Sequence, residues 1–259
     1  MTTDRRHRAV LAARLREAAT RGDRVVLEGF HAVKHALRFG ADIRLAVVAD
    51  RSQVVTLART LAPDLADWFA RVPEEVGAEV FARLWPRPPE TGVLAVAARP
   101  RATLADLARD RPVVLLERPA HLGNVGAVIR VAAAADCAGV VTTGPYDPWH
   151  GTALRTAAGL HFALPVVGCE APPVLDRPLY ALDPEGAPLD PRRIPADAVL
   201  AFGSERRGLS AELRARARGR FRLPMRAGVS SLNLATAVAA VLYVLRLCGP
   251  LLRGEGDGT

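Results

Sequence analysis

Three stretches of this chain carry side chains that a folded core does not require. The first is Glu117-Arg118-Pro119-Ala120-His121-Leu122-Gly123-Asn124-Val125-Gly126-Ala127-Val128-Ile129-Arg130. An apolar strand ends in Glu-Arg, a Gly/Asn loop follows, and a helix then carries Arg130 in its second turn. Parallel sheets gather ligands at the carboxyl ends of their strands. Arg130 follows Gly126 by four residues, so it can share that helical face. The competing reading is an ordinary strand-loop-helix with Asn124 as its cap. The second stretch is Phe202-Gly203-Ser204-Glu205-Arg206-Arg207-Gly208-Leu209. Gly203 permits close approach of a ligand to the backbone, and Glu205 puts an acid at the end of an apolar strand. A plain turn capped by Ser210 competes with that reading. The third runs from Leu223-Pro224-Met225 to Ser230-Ser231-Leu232-Asn233 and opens a long apolar helix. Ser230 or Ser231 is expected to cap it. Asn233 then sits in the first turn, where unpaired N–H groups can bind an acceptor. Capping alone is again the alternative.

The elements around these stretches alternate between strand and helix, which predicts a mainly parallel sheet with both faces covered. In residues 1–100, strands are expected at 25–27, 43–48, 69–72 and 93–97. Helices are expected at 29–39, from Ser52 (as cap) to 61, and from Pro73 onward, with Glu74 and Glu75 in a first turn that favours acids. Residues 101–112, flanked by Pro100 and ending in Pro112 with a short helical TLADLARD between, read as a linker. A second series, 113–250, places strands at 113–116, 139–142, 165–167, 179–182, 199–202 and 220–223. Its helices are expected at 124–135, 152–160, 209–216 and 231–247. The last six residues, GEGDGT, are expected to fray.

Composition narrows the function classes. Half of the 259 residues are apolar and 24% are charged, as in a globular chain. The formal net charge is +8, and apart from Lys34 every positive side chain is Arg. Arg binds phosphate bidentately, so an RNA or DNA partner fits; a GC-rich coding sequence would give the same bias. Arg214, Arg216, Arg218, Arg220 and Arg222 alternate and would align on one face if extended. With Arg206 and Arg207 they could track a nucleic-acid backbone. Cys137, Cys169 and Cys248 are few and widely spaced, which argues against disulfides and zinc and for a reducing cytoplasm. Cys137 and Cys248 read as buried thiols. His31 and His35 lack a third ligand, so no metal is expected. The basic N-terminal helix has no signal-peptide core, and no apolar run reaches membrane-spanning length.

Taken together, Asn-x-Gly-x-x-x-Arg, Gly-Ser-Glu-x-x-Gly-Leu and Leu-Pro-Met…Ser-Leu-Asn, in this order, resemble the SpoU (TrmH-like) branch of the SPOUT RNA methyltransferases. The likeness covers about residues 113–247, including Arg155-Thr-Ala-Ala-Gly159. It implies an α/β fold with a trefoil knot in a C-terminal parallel-sheet domain, which periodicity would never suggest. It implies S-adenosylmethionine as methyl donor, held around Phe202, Gly203, Glu205, Leu223, Met225 and Leu232. The implied reaction is methylation of a ribose 2′-hydroxyl in rRNA or tRNA, at a homodimer interface built partly from the last helix. Arg130 matches the family's essential Arg, with Asn124, Glu205, Ser231 and Asn233 shaping the site. Arg155 and Arg207 are candidates for RNA contact. Glu28-Gly29-Phe30-His31-Ala32-Val33 resembles the start of the L30e-like substrate-binding domain found before many such enzymes. This makes Glu28 and His31 further RNA-facing candidates. The alternative is a non-catalytic RNA-binding protein on the same scaffold, against which the intact Asn124, Arg130, Glu205 and Asn233 argue. No G-x-G-x-x-G follows an early strand, and Gly203-Ser204-Glu205 is no nucleophile elbow, so a dehydrogenase and a serine hydrolase are poorer readings.

Overall fold

The computed structural model describes residues 2–248, with side chains from residue 9 onward, and the chain divides into two units. The expected fraying of the GEGDGT tail lies outside the described residues. Unit 1 comprises residues 1–101 together with 158–163. It opens with helix α1 (Thr2–Thr20), then alternates β1 (Arg24–Glu28), α2 (Phe30–Arg38), β2 (Ile43–Val48), α3 (Arg51–Leu61), α4 (Ala66–Arg71), β3 (Glu74–Glu75), α5 (Ala78–Leu84) and β4 (Val93–Ala98). The sheet order is β1-β4-β2-β3. β4 runs antiparallel to both β1 and β2, while β3 is parallel to β2. Leu11 and Leu15 of α1 close one face of this sheet over Val26, Val47, Leu94 and Val96. In residues 158–163, the Ala158 carbonyl lies 2.8 Å from His35 Nδ1, so that ring has a local partner.

Several local expectations in unit 1 are corrected. Residues 69–71 end helix α4 and Val72 is its cap, so no strand forms there; Phe69 turns inward onto Phe30 at a ring separation of 4.9 Å. Glu74 and Glu75 pair with β2 instead of opening a helix, and α5 begins only after Gly77, which adopts φ 80°. Asp50, not Ser52, caps α3: its carboxylate accepts from the Gln53 N–H, and the Ser52 hydroxyl donates to the same carboxylate.

Unit 2 comprises residues 102–157 and 164–259. It contains β5 (Val113–Leu116), α6 (Leu122–Ala134), β6 (Gly139–Thr143), α7 (Gly151–Thr156), β7 (Val166–Cys169), β8 (Leu179–Pro188), β9 (Val199–Phe202), α8 (Ala211–Arg216), β10 (Gly219–Arg222) and α9 (Leu234–Cys248). The six strands lie in the order β10-β8-β9-β5-β6-β7, and every pairing is parallel. Both faces of such a sheet are covered, so β5 and β9 read as unbroken apolar runs and are fully buried. Residues 102–112 belong to this unit. Thr103 and Asp106 form a reciprocal cap on a short 3-10 turn, Leu107 enters the core, and Arg177 donates to the carbonyls of Leu107 and Arg111.

Helix boundaries differ from expectation, and α8 starts at Ala211 instead of residue 209, with the Ser210 hydroxyl accepting from the Leu213 N–H at 3.1 Å. α7 ends at Thr156, because Ala158 and Gly159 take φ values of 50° and 77°. α6 starts at Leu122 with His121 in the cap position, leaving the Asn124 side chain unused for capping. α9 starts at Leu234, and its cap is Asn233 instead of a serine: Asn233 Oδ1 accepts from the N–H groups of Ala235 and Thr236 at 2.9 and 3.3 Å.

The arginine series is also split. Arg214 and Arg216 lie on α8 and only Arg220 and Arg222 on a strand, so no single extended face carries all five. Arg216 holds the carbonyls of Pro172 and Pro173, and Arg222 holds that of Gly186. Of the two cysteines expected inside, Cys137 is buried but Cys248 is exposed at the end of α9. No described helix is long and apolar enough to cross a membrane.

Candidate active site

The carboxyl ends of β5 and β9 bring the first two motifs together. The chain leaves β5 through Glu117 and Arg118, and Arg118 takes φ 49° while its N–H donates to the Thr143 hydroxyl at 3.1 Å. The chain leaves β9 through a tight loop in which Ser204 and Gly208 pair as a short antiparallel bridge. That loop closes only because residue 203 is glycine: a Cβ there would lie 2.0 Å from the Gly208 carbonyl carbon. Two carboxylates tie the loops together in opposite directions. Glu117, buried, accepts from the Ser210 N–H at 2.7 Å. Glu205 reaches back to accept from the Ala120 N–H at 3.0 Å.

Glu205 also begins a chain of side chains. Asn124 Nδ2 donates to Glu205 Oε1 at 2.5 Å, and Asn233 Nδ2 donates to Asn124 Oδ1 at 3.1 Å. Asn233 Oδ1 accepts from the first turn of α9. Each amide therefore donates through its Nδ2 and accepts through its Oδ1, Asn233 accepting twice. The polarity runs one way, from the α9 N-terminus to the carboxylate. Burial pushes the Glu205 carboxyl up, but the hydrogen bonds from Asn124 and the Ala120 N–H outweigh it, and the group is held below its usual value. Glu205 is ionised at neutral pH.

Beside this chain lies a cavity of about 370 Å³, a size that suits a small cofactor. Its walls come from Leu182, Asp183 and Pro184, from 202–205 with Gly208, from 221–223 with Met225, from 230–232, and from Leu234, Ala237 and Val241 of α9. The cofactor candidates Phe202, Gly203, Glu205, Leu223, Met225 and Leu232 all line it, as does Ser231. Glu205 is thus shared by the cavity and the asparagine chain. The lining fits an adenosyl cofactor: Leu223, Met225, Leu232 and Val241 offer apolar surface to a flat base, and the turns at Gly203 and Ser230–Leu232 offer polar edges.

The remaining candidates are Arg130, Arg155 and Arg207 in unit 2 and Glu28 and His31 in unit 1. Arg130 is exposed on α6, and none of the described hydrogen bonds joins it to Asn124, Glu205 or Asn233. Gly126, one turn earlier, packs inward instead; a Cβ there would lie 2.2 Å from the Ala153 carbonyl oxygen, so this glycine serves helix packing. Arg155 is exposed in the last turn of α7. Arg207 is exposed, and its N–H donates to the Ser204 hydroxyl at 3.2 Å. In unit 1, Glu28 ends β1 half-buried and His31 is exposed on α2. Asp183 was missed by sequence reading, because Leu-Asp-Pro-Glu-Gly looks like the start of a loop. The signal is a charged residue directly after the apolar run Leu179–Leu182, inside β8.

Comparison with known proteins agrees with this fold. Residues 111–243 match the SpoU rRNA Methylase family. The chain is 28% identical over 241 residues to the 23S rRNA (guanosine(2553)-2′-O)-methyltransferase RlmP of Bacillus subtilis, covering 88% of this chain and 90% of that one. It is 33% identical over 220 residues to an uncharacterized tRNA/rRNA methyltransferase of Mycobacterium tuberculosis, covering 79% and 72%. Its fold superposes on the SpoU methyltransferase AviRb from Streptomyces viridochromogenes in complex with AdoMet, with a TM-score of 0.72, 25% identity, and coverage of 94% and 98%. With its motifs gathered at the strand ends and the family pattern running through all of them, the chain belongs to the SpoU rRNA methylase family.

Proposed function

We propose that the chain is an RNA methyltransferase that uses S-adenosylmethionine to methylate a ribose 2′-hydroxyl of rRNA or tRNA. The observation that carries this reading is the double role of Glu205, which lines the cavity and anchors the asparagine chain. A ligand in the cavity and a substrate over Asn124 and Asn233 would therefore meet at one point.

S-adenosylmethionine, when bound, supplies a methyl group activated by its sulfonium. Phe202, Gly203, Leu223, Met225 and Leu232 would hold it, and Ser231 would border it. The chain must then place the ribose oxygen in line and shed its proton. Glu205 is a poor base for that proton: two donors already occupy its carboxylate, and its affinity for a proton is lowered. It fixes Asn124 instead. Arg130 is also no base, because guanidinium stays protonated. As an exposed cation on α6 it is suited to clamp a substrate phosphate and to stabilise alkoxide character, with the phosphate taking the proton.

Two further assignments belong to this reading. The chain works as a homodimer through α9, which buries Leu234, Val238, Val241, Leu242 and Leu245 within its own unit and leaves Tyr243 and Leu247 exposed. Unit 1 (residues 1–100 in the sequence reading) is an L30e-like RNA-binding domain, with Glu28 and His31 toward the substrate; Arg155 and Arg207 contact RNA from unit 2. Calorimetric titration with S-adenosylmethionine, followed by transfer of its labelled methyl group to total rRNA and tRNA, tests the reading. Binding with RNA labelling is expected. Failure to bind the cofactor would leave an RNA-binding protein without catalysis.

A further inference from the structure

β8 does not follow β10 smoothly. Ala181 pairs with Arg220 and Ala187 with Phe221, so residues 182–186 bulge out of the ladder between them. Bulges next to sites re-aim side chains, and this one is packed tightly: a Cβ on Gly186 would lie 2.6 Å from the backbone of Arg220 and Phe221. The bulge carries Asp183 into the wall of the cavity. Asp183 is only 6% exposed. Its Oδ1 accepts from the Glu185 N–H at 2.9 Å. Its Oδ2 accepts no hydrogen bond from the described residues. Arg220 and Arg214 stand 3.6 and 3.8 Å from that oxygen, close enough to balance its charge and too far to be its donors. A buried carboxylate oxygen without a donor is costly and rare. Of the surfaces around Asp183, the cavity is the one built to receive a ligand.

We propose that Asp183 is a cofactor-binding residue, whose free carboxylate oxygen accepts a hydrogen bond from a polar hydrogen of the occupant of this cavity. The inference rests on the cavity being the S-adenosylmethionine site. That ligand offers three such donors, the adenine 6-amino group, the ribose hydroxyls and the α-ammonium group. All three share the chemistry that a lone buried acceptor selects.

The test is a binding cycle on the full-length protein. The wild type, Asp183→Asn and Asp183→Ala are titrated with S-adenosylmethionine, S-adenosylhomocysteine, 5′-methylthioadenosine, its 2′,3′-dideoxy form and 5′-methylthioinosine. Asn keeps the bulge's own acceptor for Glu185, and thermal melting of each unliganded variant checks the fold. Both substitutions should weaken S-adenosylmethionine by about tenfold or more. If a ribose hydroxyl is the donor, they weaken 5′-methylthioadenosine equally, and removing its hydroxyls costs the wild type affinity but not the variants. If the ammonium is the donor, S-adenosylhomocysteine weakens while 5′-methylthioadenosine is unaffected. Well-folded variants that bind the whole series like the wild type would overturn the assignment. If the adenine amino group is the donor, exchanging it for the inosine carbonyl costs the wild type affinity but not the variants. If the variants fail to fold, the wild-type series decides alone: equal affinity with and without the hydroxyls, the amino-acid moiety and the 6-amino group overturns it. A wild type that binds none of these ligands instead refutes the methyltransferase reading.

Discussion

Asn233 donates to Asn124 at 3.1 Å although the two are 109 positions apart, so the start of α9 is locked to the start of α6 through one amide pair. The pair works only in one orientation, because Asn124 must also donate to Glu205 and Asn233 must also accept from the α9 N-terminus. Asn124→Asp replaces the donor facing Glu205 with a second carboxylate. Asn233→Ala removes the link and the helix cap together. Each should lower the rate of methyl transfer by about a hundredfold, the scale seen when one preorganised polar group is lost from a site. Asn233→Ala should also cost about 1 kcal/mol of stability through the lost cap. Single-turnover rates and denaturant melts check the two effects separately; Asn124→Asp at wild-type rate would remove the pair from the mechanism.

Gly203→Ala tests the loop that presents Glu205. The added Cβ would overlap backbone atoms of Gly208 and Leu209, which no rotamer change relieves. The loop must open, displacing both Glu205 and a wall of the cavity. A loss of about 1–3 kcal/mol in stability is expected, together with loss of S-adenosylmethionine binding by calorimetry. Wild-type affinity in this variant would show that the cavity does not depend on loop closure.

The pH dependence follows from Glu205. Its carboxyl is held low in the fold, so its stabilising bonds are fully present above the ordinary carboxylate value and are lost as pH falls through the lowered folded value. The difference in melting temperature between the wild type and Glu205→Gln should therefore be constant at neutral pH and shrink in acid. A difference that instead faded on moving toward alkaline pH would contradict the ionised role.

The thiols should differ sharply in reactivity. Burial pushes the Cys137 thiol up to about 12, and also raises that of the half-buried Cys169. Cys248 is exposed. A thiol-specific reagent at pH 8 should label Cys248 first and Cys137 only on unfolding, which peptide mass spectrometry resolves. Fast native labelling of Cys137 would show that its core opens.

Much of the site was legible because its residues break local rules. Asn124, Glu205 and Asn233 are polar groups set against apolar elements, and the order of the motifs around them is specific enough to identify the family. The strand-helix alternation likewise exposed the parallel sheet of unit 2, whose central strands β5 and β9 are continuous apolar runs; in unit 1 the same rhythm builds a sheet in which β4 runs antiparallel to both its neighbours. What escaped was set by tertiary contact. Residues 69–72 have strand-like composition, yet Phe69 turns inward as part of a helix to pack on Phe30. The cap of α9 shifted from serine to Asn233 because that side chain also reaches Asn124, a partner no local window contains. Asp183 was hidden because a bulge depends on its neighbouring strand, not on its own sequence. The threading of the chain that the family likeness implies has no local signature at all.

The most direct test of the whole account is the chemical identity of the methylated product. RNA incubated with the protein and labelled S-adenosylmethionine is digested to nucleosides and resolved by mass spectrometry. Label is expected in a 2′-O-methyl nucleoside, produced by the wild type and lost in Arg130→Ala even though that variant still binds the cofactor. Label on a base, on protein or on a small molecule, or undiminished ribose methylation by Arg130→Ala, would contradict it.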